Sequence, residues 1–333
     1  MAVPASRYLI GPVPWYSALI VCGAALAVWL SAREEKRLGL PKDTVIDLAL
    51  RLLPFGILGA RLYYVLFSWD QFRGRPLSVL YIWEGGLAIY GGLIAGILTL
   101  WIFCRRRNLS LLTVLDLLVP GVALAQAIGR WGNYFNMEAY GIPVTDQALQ
   151  FFPFAVQIPE GGVYVWHAAA FFYESFLDFL LFLFLLYGRR KLFRRGGDAF
   201  LFYAVFYAAF RLCIENLRMD SLYLSGGIRV SQLFSALICL AGILLLARRR
   251  KDRARAVLCS LPPLACGIPV LLFMCGWRPG FLNAVRAQMC LLILFCLLTV
   301  LSCLLLYGRG GAPEVFHADH DPEESDLPGG AAS

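Results

Sequence analysis

The sequence predicts an all-α fold: a polytopic helical bundle embedded in a membrane, with seven core helices, two further hydrophobic helices at the C-terminal end, and an N-out/C-in orientation. Three observations carry that prediction. Of 333 residues, 59% are hydrophobic and only 16% are charged, with a mean hydropathy of +0.67, whereas a soluble domain carries about 25% charged residues. The apolar residues fall into nine runs, each close to the roughly 20 residues a helix needs to cross a bilayer. The basic residues are distributed unevenly between those runs.

The runs are 15–32, 44–68, 86–104, 110–128, 168–188, 198–217, 229–247, 256–275 and 287–307. The first opens on Trp15-Tyr16 and has only Arg7 before it. A signal peptide carries its positive charge ahead of the apolar stretch, so this run reads as a retained span despite the cleavage-like Ala25-Leu26-Ala27. The second holds Pro54 and Gly56 and is long enough to tilt or kink. The third starts in WEGGLAIYGGLIAG (83–96), where Gly92 and Gly96 have the GxxxG spacing of close helix packing. The fourth contains Asp116 and is followed by GRWGNYFNMEAYG (129–141), read as the opening of an outer loop that extends to residue 166. The fifth carries Glu174 and Asp178, like charges one turn apart, so at least one is expected to face a cation or a wet cavity. On the sixth, Tyr207, Arg211, Glu215 and Arg218 fall on one helical face. The eighth is the least regular because of Pro262, Pro263 and Pro269. Residues 309–333 are rich in Gly, Pro and acid and read as a disordered, solvated tail, since they cannot bury enough apolar surface to fold. Three parts result: a seven-span membrane domain over 1–250, two additional spans over 251–308, and the acidic cytoplasmic tail over 309–333.

With the N-terminus outside, 19 of the 30 Lys and Arg lie on the inner side, eight on the outer side, and Arg51, Arg61 and Arg211 within spans. That is the positive-inside bias. It also explains the net charge of +8 without nucleic acid as a partner. The ten cysteines sit mostly in apolar runs with no CxxC pair, so they read as small hydrophobes rather than a disulfide framework or a metal site. The chain has three histidines, His167, His317 and His320, which excludes a histidine-cluster mechanism. His317 and His320 beside acids suit at most weak metal binding.

Ionisable groups inside spans are the informative residues, since each costs at least roughly 2.5–3.5 kcal/mol at mid-helix and marks a partner or a site. Arg211 and Glu215 are spaced to pair along the helix. They are either a self-satisfied pair that joins helices or a cationic pocket in which Glu215 holds Arg211 for an anion. Asp47–Arg51 has the same spacing and reads as structural. In 129–141, Arg130, Asn133, Asn136 and Glu138 lie among glycines that let backbone approach a ligand. A guanidinium and amides suit a phosphate and its hydroxyls, although an ordinary polar turn has the same composition.

GRWGNYFNMEAYG resembles the signature of the prolipoprotein diacylglyceryl transferases, approximately G-R-x-G-N-[aromatic]-x-N-x-E-x-x-G. Gly129, Arg130, Gly132, Asn133, Asn136, Glu138 and Gly141 fill its fixed positions. Supporting segments follow in the family's order: Trp15-Tyr16, GARLYYVLFSW (59–69), WEGGLAIYGG, Asp116, FFYESF (171–176) and FYAAFRLCIENLR (206–218). The similarity covers about residues 8–248.

The resemblance implies transfer of the sn-1,2-diacylglyceryl group of phosphatidylglycerol to the lipobox cysteine of a prolipoprotein signal peptide. A thioether forms and glycerol 1-phosphate leaves, with no metal and no organic cofactor. It also implies a bacterial cytoplasmic membrane and an active site toward the outer face. The catalytic candidates are Arg130, Arg211, Tyr90 and Glu138. The substrate-binding candidates are Arg130, Asn133, Asn136, Tyr16, Tyr207, Glu215 and Arg218. The chemistry suits them: a thiolate attacks carbon, and the departing phosphate ester wants fixed cations. Two departures stand out. Tyr90 occupies a position where many members carry His, and a phenol with an ordinary pKa near 10 is a poor base at neutral pH. The two runs beyond residue 250 exceed the family's usual seven spans. Two other classes remain open: a transporter, which would show repeat symmetry that this sequence lacks, and an inactive relative that binds phosphatidylglycerol.

Overall fold

The structure, a computed structural model, describes residues 3–4, 6–193, 195–223, 229–249, 252–274 and 285–307. Nine long helices appear among them: α1 (Trp15–Glu35), α2 (Thr44–Phe67), α3 (Ile89–Arg106), α4 (Leu111–Asn136), α5 (Ala170–Lys191), α6 (Asp198–Ile214), α7 (Val230–Arg248), α8 (Arg253–Met274) and α9 (Val285–Tyr307). They correspond one to one with the nine apolar runs. Seven are long and apolar enough to cross a membrane; α2, with Asp47, Arg51 and Arg61, and the 17-residue α6 are outside that set. The expected tail over 309–333, with His317 and His320, lies outside the described residues.

Helix α1 packs along α4, α2 on α3, α4 on α5, α6 on α7, and α8 on α9. The largest apolar core joins Val119 and Ala123 of α4, Leu181 and Leu185 of α5, Phe202 and Val205 of α6, Ile243 of α7 and Leu306 of α9. The last helix is therefore built into the core. A second cluster places Leu292 and Phe295 of α9 against Ala208 and Leu212 of α6.

The in-span acid Asp116 has a structural use. Its two oxygens accept the backbone N–H groups of Gly197 (2.6 Å) and Phe200 (2.8 Å). These are among the donors that the start of α6 leaves without intrahelical partners, and the negative charge also suits the helix N-terminus. Helix α4 opens on Ser110, whose hydroxyl accepts from the Thr113 N–H at 3.4 Å.

Close helix contact differs from the GxxxG expectation. A Cβ on Gly96 would meet open space, and one on Gly92 would lie 3.4 Å from the Gly56 carbonyl. The tight approach is one residue earlier: a Cβ on Gly91 would sit 2.3 Å from the backbone carbonyl of Gly59 across the α2–α3 contact. Backbone cannot swing aside as a side chain can. Gly91→Ala is therefore expected to force α2 and α3 apart at about 1–3 kcal/mol, lowering the thermal midpoint of the detergent-solubilised protein, while Gly96→Ala leaves it unchanged.

Two corrections concern the outer loop. Residues 129–136 are not loop but the last two turns of α4, which ends at Asn136 with Met137 in the left-handed region (φ 51°). The remaining segment is not wholly irregular: β3 (Ala155–Glu160) and β4 (Val163–Ala168) form an antiparallel hairpin. Gly161 and Gly162, at φ 58° and 88°, supply its two-residue turn. A short pair, β1 (Tyr8–Ile10) and β2 (Val13–Pro14), precedes α1. The loop is tied down by the Gly141 N–H to the Ala168 carbonyl (2.7 Å) and the Ile142 N–H to the Leu217 carbonyl (2.8 Å).

Candidate active site

Three neighbouring helices each send an ionisable side chain to one point. Arg130 comes from the end of α4, Glu174 from the start of α5, and Arg211 from the last turn of α6. Glu174 is 4% exposed and is the hub. Its carboxylate lies 3.1 Å from Nη1 of Arg130, in direct contact with Nη1 of Arg211, and 3.5 Å from Nη1 of Arg218. Glu215, 1% exposed, closes the pair read from the sequence, with its Oε2 2.7 Å from Nη2 of Arg211. Tyr207 lies 3.5 Å from Nη2 of Arg130 through its hydroxyl and stacks on Tyr203, whose own hydroxyl donates to Gln126 at 2.9 Å. Ser175 donates to the Ala127 carbonyl (2.7 Å) and fixes α5 against α4 beside the cluster.

The sixth-span face is thus assembled as the spacing requires, although Arg218 lies just past the end of α6. Burial opposes ionisation of the Asp220 carboxyl, but two hydrogen bonds from Arg218 and its charge outweigh that and hold the carboxyl below the ordinary range. Arg218 is therefore shared between Glu174 and Asp220. Of Glu174 and Asp178, Glu174 is the one that meets cations. Asp178 is one turn further along, 2% exposed, and its Oδ2 has no hydrogen-bond partner among the described residues.

The other candidates are placed around this centre. Tyr16 packs its ring where a Cβ on Gly132 would come within 2.5 Å, so that glycine admits α1 to α4. Asn133 is buried, and its backbone carbonyl accepts from the Glu138 N–H at 3.0 Å. Asn136 donates to Glu138 at 3.1 Å and accepts from Nε of Arg7 at 3.1 Å, forming a surface group with an N-terminal arginine. Asn133 and Glu138 also line a small recess with Tyr140, Gln157 and Phe171. Tyr90 is 46% exposed at the start of α3, and its ring neighbour is Tyr63 at 6.5 Å. His167 is fully buried, with Nδ1 2.8 Å from the Gly141 carbonyl and Nε2 3.1 Å from Glu160.

Three guanidinium forks meet here, with Glu174, Glu215 and Asp220 as their carboxylate partners, and each fork has the shape that matches a phosphate or carboxylate edge. A family model for prolipoprotein diacylglyceryl transferase matches residues 7–248. The chain belongs to the prolipoprotein diacylglyceryl transferase family. Among curated members, the phosphatidylglycerol–prolipoprotein diacylglyceryl transferase of Enterococcus faecalis is 47% identical over 246 residues, covering 72% of this chain and 88% of the relative. That of Lactobacillus acidophilus is 41% identical over 248 residues, covering 72% and 86%. That of Streptococcus agalactiae is 41% identical over 249 residues, covering 73% and 95%. The diacylglyceryl transferase match ends at residue 248, so α8 and α9 lie beyond it.

Sequence reasoning left three participants unassigned. Glu174 was visible as an expensive charge in an apolar span, but its partners depend on how α4 and α6 pack. Arg229, which donates to the Glu215 carbonyl at 2.7 Å and to Asn216 at 3.0 Å, braces the end of α6 from the start of α7. Tyr203 supports Tyr207 one turn away.

Proposed function

We propose that this chain transfers the sn-1,2-diacylglyceryl group of phosphatidylglycerol to the lipobox cysteine thiol of prolipoproteins, and that Arg130, Arg211 and Arg218 hold the phosphate. The convergence of Arg130 and Arg211 on Glu174 is the observation that carries this reading. The thiol loses its proton, sulfur attacks the glyceryl carbon bearing the phosphate, a C–S bond forms, and the C–O bond breaks. The electron pair leaves with oxygen as glycerol 1-phosphate. The phosphodiester begins with one negative charge and leaves as a monoester that gains a second. Fixed guanidinium groups favour the transition state over the bound diester because that charge is still developing.

Glu174 lets three cations stand close together before the lipid arrives, since unpaired buried charges are costly. Glu215 orients Arg211. Asn133 and Glu138 are assigned the glycerol hydroxyls, Asn136 steadies Glu138, and Tyr16 and Tyr207 are assigned hydroxyl hydrogen bonds to the lipid. The proton acceptor is assigned to Asp178, one turn from Glu174 on α5 with an oxygen that has no hydrogen-bond partner among the described residues; His167 instead lies between Gly141 and Glu160 of the outer segment, and Tyr90 lies at the start of α3. Asp178→Asn is expected to lower kcat about 10²-fold with lipid affinity retained, while Tyr90→Phe stays within a few-fold of wild type. Steady-state assays with a lipobox peptide measure both.

The charge distribution supports an N-out, C-in bundle in a bacterial cytoplasmic membrane, with this cluster toward the outer face and residues 1–250 as the catalytic domain. The test is reconstitution of the full chain with phosphatidylglycerol and a lipobox peptide. Release of glycerol phosphate together with a gain in peptide mass is expected. A peptide of unchanged mass, where a characterised relative modifies it, would overturn the reading in favour of a binding protein or transporter.

A further inference from the structure

A second cationic site lies at the opposite end of the same helices. Asp116 and Arg130 are both on α4, separated by fourteen residues, about 21 Å of helix. Around Asp116 is a small open recess between the ends of α1, α5 and α6, lined by Glu34, Arg37, Arg189, Arg195, Leu117 and Phe193.

Its charges do not balance. Glu34 is a single carboxylate serving three arginines: Arg37 at 3.2 Å, Arg189 at 3.1 Å and Arg190 at 3.3 Å. Both oxygens of Asp116 are occupied by backbone N–H groups of α6. Arg195 has no carboxylate partner among the described residues, and its guanidinium reaches only the Arg249 carbonyl, at 3.4 Å. Nε of Arg189 is buried and finds no acceptor among the described residues. A buried donor without a partner is costly, so this end of α5 carries positive charge that its one carboxylate does not fully satisfy. The wall between the arginines is apolar, formed by Leu117 and Phe193. Cations beside an apolar wall at the end of membrane-length helices match a lipid phosphate with its first chain carbons.

We propose that this recess binds the phosphodiester headgroup of an anionic phospholipid through Arg37, Arg189 and Arg195, at a site separate from the Arg130–Glu174–Arg211 cluster. The bound lipid bridges α1, α5 and α6 at the end away from the cluster. It is a site of occupancy rather than of chemistry.

Native mass spectrometry of the full chain in detergent tests it, with titration by dioleoyl phosphatidylglycerol, dioleoyl phosphatidylcholine or inorganic phosphate. Wild type is expected to hold two phosphatidylglycerol molecules and to prefer them over phosphatidylcholine. Combined Arg37→Gln and Arg195→Gln should weaken one of the two at least about tenfold, while Arg130→Gln weakens the other. Arg195→Lys alone should restore most of the affinity that Arg195→Gln alone removes, which separates lost charge from lost folding. Equal binding by wild type and the double variant would overturn the proposal. So would inorganic phosphate displacing this lipid at equal concentration, since the ligand would then be free phosphate. It would also be overturned if lipid entered only after Glu314, Asp319, Asp321, Glu323, Glu324 and Asp326 were neutralised, because the acidic C-terminal segment would then be the occupant. Failure of Arg130→Gln to remove a lipid would count against the catalytic assignment and leave this site standing.

Discussion

Arg130→Ala should reduce diacylglyceryl transfer about 10²–10³-fold, the cost of removing one fixed group from a developing oxyanion. Arg130 enters the site from the last turns of α4 and meets both Glu174 and the Tyr207 hydroxyl. No other described side chain of α4 makes an ion pair with that hub, so nothing on the helix substitutes for it. Arg130→Lys should recover only part of the loss, because an ammonium retains the charge but not the planar fork. Peptide mass gain with time measures both variants. Wild-type turnover in Arg130→Ala would show that the phosphate is held elsewhere.

The second large effect is on stability. Glu174→Ala leaves Arg130, Arg211 and Arg218 facing one another without the carboxylate that joins them. Removing one partner from a buried ionic group costs about 3–5 kcal/mol, so the variant is expected to melt well below wild type in detergent. Glycerol 1-phosphate should recover more of the midpoint in Glu174→Ala than it adds to wild type, since the anion would take the vacated place. A melting curve unchanged from wild type would mean that Glu174 does not hold the cluster together.

The pairing of Arg211 with Glu215 was legible because it depends only on helical spacing. So was the need of Glu174 or Asp178 for a cation. Which cations meet Glu174 was not legible, because three separate helices supply them and one sequence does not encode their relative rotation. The helical state of 129–136 was masked by Gly129 and Gly132, which read as loop residues. Gly132 is instead a packing residue that admits Tyr16, and the helix runs through it. The GxxxG spacing marked the correct helix, and Gly92 does face Gly56 and Ala60 of α2, but Gly96 faces open space and the tightest approach falls on Gly91 and Gly59, since spacing alone does not fix register. The hairpin over 155–168 did have a signal, Gly161-Gly162 between two β-rich runs. The last helices carried no chemical motif, yet α9 packs Phe295 and Leu306 into the cores that position α6.

In this mechanism Arg130 and Arg211 act on one phosphate as a unit. A double-mutant cycle on turnover, with Arg130→Ala, Arg211→Ala and both together, measures that coupling. Residues that serve one transition state are strongly non-additive, so the double variant is expected to lose little more activity than the worse single one. Losses that multiply, as they do for independent sites, would contradict it.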